Sequence, residues 1–379
     1  MTRALIATDG FKGTLSARQA SEAIAEGLRG ARNDLGIDAC PIADGGEGTV
    51  DAFLTTPGAE GRIARVTGPL GEACESAWAV LPGNVAVVET ATTAGLAMVP
   101  STRRDPTRTT TRGLGEAIRA AIDAGACEVI VGLGSSATTD GGCGVASALG
   151  WRFLDDVGNG FVPVGGTLGR VARIEPPTKP LGAYIVAMCD VDNPLLGDRG
   201  SARVFGPQKG ATHEQVERLE RGLTHLIEVC ARGGIQSDPE QPGSGAAGGL
   251  GFGMRAFLHA ALRPGFDVVA NAIGLRARME HTDVVITGEG QLDETTLHGK
   301  AVFGVARLAR AAGVDVHAIV GDVADERGNL MDRLRAAGAP LASVRTLVDD
   351  EVDRAEACRQ GRDRVRAVAH ELGRRLWAG

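Results

Sequence analysis

The chain has 379 residues, more than one hydrophobic core usually serves, so two domains are expected. Hydrophobic residues make up 43%, charged residues 23% and the net charge is −7, which fits a soluble globular protein and disfavours nucleic acid as a partner. Aromatics are only 3%, the seven cysteines contain no CxxC pair, and no stretch approaches the roughly 18 apolar residues of a membrane span. A reduced, cytoplasmic setting is the expectation.

In chain order, residues 4–8 read as a first strand that runs into Asp9, Gly10 and Lys12. Ser16 and Gln19 have capping-box spacing for a helix whose buried stripe is Ala17, Ala20, Ile24 and Leu28. Residues 37–42 read as a second strand, followed by Asp44-Gly45-Gly46-Glu47-Gly48 and a short helix over 50–54. Residues 62–66, 76–81 and 85–89 read as strands joined by turns. A helix over 109–124 puts Leu114, Ile118, Ala121 and Ile122 on one face.

Next comes the most distinctive stretch. Val129, Ile130 and Val131 read as a buried strand, and the bulk then disappears through Gly132, Gly134, Ser135, Ser136, Thr139, Asp140, Gly141 and Gly142. Glycines let backbone N–H groups come close to a ligand, and hydroxyls add donors, so this loop predicts a phosphate cradle. A glycine turn without a ligand fits the loop alone equally well. Asp140-Gly141-Gly142-Cys143-Gly144 echoes the run at Asp44.

Residues 184–188 read as a strand ending near Asp190 and Asp192. Thr212 and Gln215 box the start of a helix carrying Val216, Leu219, Leu223 and Leu226. After a second glycine-rich run, 242–253, βα alternation returns: strands over 283–287, 316–320 and 342–347, a helix over 300–312, and a closing helix with Val365, Val368, Leu372 and Leu376. The fold class is α/β. Five strands suit a flavodoxin-like parallel sheet in the order 2-1-3-4-5, formed by residues 1–66 and 280–379. Residues 67–279 would then be a second α/β domain inserted between its second and third strands.

Phosphoryl transfer from ATP needs donors for phosphates, a carboxylate-held Mg2+, a cation and a proton acceptor. Acids stand at strand ends (Asp9, Asp44, Asp190, Asp192, Glu289 and Asp293), and Lys12, Lys209 and Lys300 each lie beside glycine. No GxxxxGK[ST], HRD or DFG signature is present, which excludes a P-loop enzyme and a protein kinase.

Eight blocks in order resemble the type I glycerate kinases across nearly the whole chain. They are TDGFKGTLSA (8–17), ADGGEGTVDA (43–52), VTGPLGE (66–72), GSSATTDGGCG (134–144), CDVDNPLLGD (189–198), FGPQKGA (205–211), PGSGAAGGLG (242–251) and VITGEGQLDETTLHGK (285–300). The resemblance implies ATP- and Mg2+-dependent phosphorylation of D-glycerate, leaning to the 2-hydroxyl, on a flavodoxin-like domain carrying an inserted one. Two positions depart from the family pattern, Gly10 where serine is usual and Thr139 where asparagine is usual.

By residue type, Lys12 is expected to steady the transferring phosphoryl group and Asp190 to accept the hydroxyl proton. Asp44 and Asp293 complete the catalytic set. Asp44, Glu289 and Asp293 are the candidate Mg2+ ligands, and Asp9, Lys209 and Glu289 the candidate substrate contacts. Nucleotide phosphates are expected on Gly132, Gly134, Ser135, Ser136, Thr139, Asp140, Gly141 and Gly142. The alternatives are a kinase for another small hydroxy acid and a nucleotide-binding sensor without turnover. A homo-oligomer is compatible with the sequence.

Overall fold

The computed structural model describes residues 2–11, 13–236, 238–325, 327–349 and 352–377. The chain forms two compact units, one of residues 1–44, 51–56 and 264–379 and the other of residues 45–50 and 57–263.

The first unit is a parallel sheet whose strands lie side by side in the order Ser343–Thr346, Asp315–Val323, Val284–Leu292, Arg3–Thr8 and Gly36–Ala39. Numbered along the chain within this sheet, that order is 2-1-3-4-5, the order suggested for the five strands above. The register sets Ile6 beside Ile286, so apolar runs from the two ends of the chain make the centre of the sheet. On one face Ile24 and Leu28 of the helix Ala17–Ala31 meet Val365, Val368 and Leu372 of the helix Arg354–Leu376. Gly27 lets these helices touch, because a Cβ there would lie 2.3 Å from the Arg366 carbonyl oxygen. Val302, Leu330 and Leu334 cover the opposite face over Ala318 and Val320.

Both expected capping boxes form. The Ser16 hydroxyl accepts from the Gln19 N–H at 3.2 Å while the Gln19 side chain accepts from the Ser16 N–H at 3.0 Å, and Thr212 and Gln215 do the same. Several strand lengths differ from expectation: Asp315–Val323 and Ala73–Leu81 are longer than the expected 316–320 and 76–81, and two further differences bear on the site. The second strand stops at Ala39 rather than residue 42, and Val284–Leu292 continues past Thr287 through the TGEG run. It continues because Glu289, Gln291 and Leu292 stay paired with Val320, Asp322 and Val323, while Gly290 and Gly321 let the two backbones close up.

The second unit holds a mixed sheet. Ala261–Arg263, Tyr184–Met188, Glu128–Gly132 and Val85–Glu89 are parallel, and Ala73–Leu81 and Glu60–Thr67 add on antiparallel. Glu60–Thr67 pairs along its whole length with Ala73–Leu81, which draws residues 57–66 out of the first unit. At the other boundary the helices Gly265–Ala272 and Leu275–Met279 join the first unit, so the crossing falls after residue 263 rather than 279. Leu114, Ile118, Val129, Val131, Leu250 and Met254 form the main core of this unit. A second cluster gathers Phe153, Leu219, Leu223, Leu226 and Phe252 beside a small three-stranded sheet. Among the described residues, no helix is long and apolar enough to cross a membrane.

Candidate active site

In an open parallel sheet the natural ligand crevice lies at the carboxyl ends of the strands, where the strand order reverses. In the first unit that point falls between Arg3–Thr8 and Val284–Leu292, and a cavity of about 260 Å³ opens there. Asp9, Asp44, Glu289, Asp293 and Asp322 line it, with Lys300 and Arg354 as cations. Asp9, Asp44, Glu289 and Asp293 are thus brought together as the sequence suggests. Gly10 also lines the cavity, and a Cβ there would meet only the Leu15 carbonyl oxygen closely, at 3.2 Å.

Glu289 is the distinctive group. It is 5% exposed, and its Oε1 accepts a hydrogen bond from the Thr296 hydroxyl at 2.8 Å. Burial pushes its pKa up to about 7, the Thr296 hydrogen bond and Lys300 opposing, with Asp293 and Asp44 adding to the rise. Asp293 next to it goes the other way. Desolvation would raise its carboxyl, but hydrogen bonds from Thr295 and the nearby Lys300 more than offset that and hold it below its ordinary value. The Lys300 Nζ lies 3.6 Å from the Asp293 Oδ1, and the same oxygen accepts from the Thr295 N–H at 2.8 Å. Two carboxyls four residues apart are therefore pushed in opposite directions, the pattern by which acid and base roles are divided at near-neutral pH. Among the described residues, no group of three or more His, Cys, Asp or Glu is arranged to hold a metal ion.

The second unit receives the other predicted residues, and there the glycine-rich loop has a different part. Asp140 is fully buried, and its Oδ2 accepts from the Thr111 N–H and hydroxyl, both at 2.8 Å. Its Oδ1 accepts from the Gly142 N–H at 3.1 Å. Burial raises its pKa, against these hydrogen bonds. Thr139 is fully buried too, and Gly132, Ser136, Gly141 and Gly142 are buried, so only Gly134 and Ser135 of the expected cradle reach the surface. The glycines serve packing. A Cβ on Gly132 would lie 2.6 Å from the Gly45 carbonyl oxygen, one on Gly134 2.6 Å from the Gly46 Cα, and one on Gly248 1.9 Å from the Thr138 carbonyl oxygen.

Lys209, expected to face substrate, is 2% exposed. Its Nζ donates to the Ser136 hydroxyl at 2.9 Å and to the Thr138 carbonyl at 2.6 Å, which clamps the loop from inside. Burial lowers its pKa to about 7, against the attraction of Asp140. Asp190 directly follows Cys189 past the end of Tyr184–Met188 in the second unit. Lys12 lies outside the described residues. Sequence reasoning missed Asp322, Leu347, Val348, Arg354, Ala357 and Cys358 as cavity residues.

The model of the glycerate kinase family matches residues 4–377. Glycerate 2-kinase of Escherichia coli K12 is 40% identical over 376 residues, covering 96% of this chain and 97% of its own. Glycerate kinase of Bacillus subtilis 168 is 42% identical over 325 residues, covering 84% and 85%. A crystal structure of a protein provisionally named glycerate kinase 2, from Salmonella typhimurium LT2, superposes with a TM-score of 0.83 at 37% identity, covering 100% of this chain and 99% of that one. A family match over almost the full length, with relatives of this similarity, leads to one conclusion: the chain belongs to the glycerate kinase family.

Proposed function

We propose that this protein transfers the γ-phosphoryl group of ATP to the 2-hydroxyl of D-glycerate, giving 2-phosphoglycerate and ADP. The observation that carries the reading is the acid-lined cavity at the strand-order reversal, with a buried carboxyl that titrates near neutrality. Glu289 takes the hydroxyl proton as the new O–P bond forms and the bond from Pγ to the ADP oxygen breaks. Lys300 keeps Asp293 ionised and adds positive charge beside the transferred group. Asp44 and Asp293 would hold Mg2+, since this ion is usually taken by one or two carboxylates together with substrate phosphates and water rather than by a protein cage. When bound, the ion supplies neutralisation of phosphate charge.

Lys12 keeps its expected part beside the phosphoryl group, and Asp9 orients a glycerate hydroxyl. Asp190 is the rival proton acceptor. We also take the first unit as a flavodoxin-like domain and the second as its insertion. A cytoplasmic enzyme suits the seven free cysteines.

The test is ADP release with ATP, Mg2+ and D-glycerate, the product being resolved as 2- or 3-phosphoglycerate. Turnover that needs all three and yields the 2-isomer is expected. Binding of ATP with no turnover on D-glycerate would overturn the reading.

A further inference from the structure

The cavity has two chemically different ends. One, at Arg3–Thr8 and Val284–Leu292, carries Asp9, Asp44, Glu289 and Asp293 with Lys300. The other, past the end of Ser343–Thr346 and against the first turns of Arg354–Leu376, is walled by Leu347, Val348, Ala357 and Cys358. Phe11, Leu347 and Ala357 belong to one buried cluster on which Val348 packs, so this wall is fixed from behind. At its rim the Arg354 Nη2 donates to the Gln291 Oε1 at 3.5 Å.

Size separates the two ends. Arg3–Thr8 and Ser343–Thr346 are three strand spacings apart, about 14 Å. The carbon skeleton of glycerate spans two bonds of about 1.5 Å each. Glycerate is polar throughout and gains nothing from an apolar wall. A flat heteroaromatic ring gains from burying its faces there and can offer its edge atoms to an amide and a guanidinium.

We infer that the apolar end is the purine subsite: the base of ATP packs on Leu347, Val348 and Ala357, with its polar edge toward Gln291 and Arg354. This rests on the kinase reading above and places the nucleotide base in the first unit. The phosphate chain then runs from the apolar end toward Lys300 and the carboxylates.

Cys358 is exposed and lines the subsite, so it reports occupancy directly. Its modification by a maleimide can be followed by peptide mass spectrometry on the wild-type protein with adenosine, ADP or D-glycerate present. Adenosine and ADP are expected to slow labelling at least about tenfold at saturation, and D-glycerate alone to leave it unchanged. Cys358→Trp, which fills the subsite from its exposed side, is expected to raise KM for ATP at least about tenfold while KM for D-glycerate stays within about twofold. Protection by D-glycerate instead of adenosine, or a Trp variant that raises only KM for D-glycerate, would overturn the assignment in an active enzyme. So would unchanged labelling under saturating ADP. Failure to bind ADP together with no turnover would sink the kinase reading itself, and the subsite with it.

Discussion

Glu289→Gln separates the charge of this side chain from its shape, because glutamine can still accept the Thr296 hydrogen bond. The carboxyl moves from an ordinary 4.5 to about 7 on folding, a difference of about 2.5 pH units. At 1.36 kcal/mol per unit this is about 3 kcal/mol. The direction follows from the raised pKa. The folded state holds the proton more tightly, so the associated stability is full below the unfolded value near 4.5 and is lost as pH rises through 7.

Urea unfolding of wild type and Glu289→Gln at pH 5 and pH 8 is the assay. Wild type should lose roughly 2 to 3 kcal/mol relative to the variant across that interval, because part of the full difference is already lost by pH 5. Comparing the two proteins cancels Lys209, whose lowered pKa acts in the opposite direction in both. Turnover should fall by roughly 10² to 10⁴, and the rising limb of the pH–rate profile near 7 should disappear. Parallel stability curves would refute the buried-carboxyl argument. Near-normal turnover would move proton transfer to Asp190, for which Asp190→Asn is the matching variant.

The glycine interlock and the Asp140 staple can be tested by stability. Gly248→Ala combines a φ of +76° with a Cβ 1.9 Å from the Thr138 carbonyl oxygen, and should cost at least about 3 kcal/mol in thermal melts. Gly169→Ala, with nothing within 4 Å, should stay within about 0.5 kcal/mol and serves as the control. Thr111→Val removes the hydroxyl that donates to Asp140 and accepts from the Val145 N–H, and should lower stability by about 1–3 kcal/mol in urea. An unchanged midpoint would mean that the backbone donors to Asp140 suffice.

Much of the first unit was legible because its signals are local. Apolar strands, Ser16 with Gln19, and acids at strand ends are each visible over a few residues. The glycines were legible as points of close approach, but a missing Cβ does not say what comes close. At Gly132 and Gly248 it is the chain's own backbone. Lys209 misled for a related reason: a lysine beside glycine looks solvated in sequence, and only the fold brings Ser136 and Thr138 around it. The apolar wall gave no signal, since Leu347 and Val348 follow the end of one element while Ala357 and Cys358 lie in the first turns of another. Nothing in their spacing joins them.

The central strand pair of the first unit has a consequence for synthesis. Thr8 bonds to Gly288 across a separation of 280 residues. At the roughly 5–20 residues per second of translation, that interval is about 14 to 56 s. Throughout it, Ala4 to Thr8 have no partner on the side that becomes the middle of the sheet, and Ile24 and Leu28 have no closing helix. The second unit can meanwhile complete itself, because all its residues precede 264. The second unit can thus be complete before the strands that close the first unit's sheet are made, and the apolar segment Ala4 to Thr8 waits uncovered on that side meanwhile.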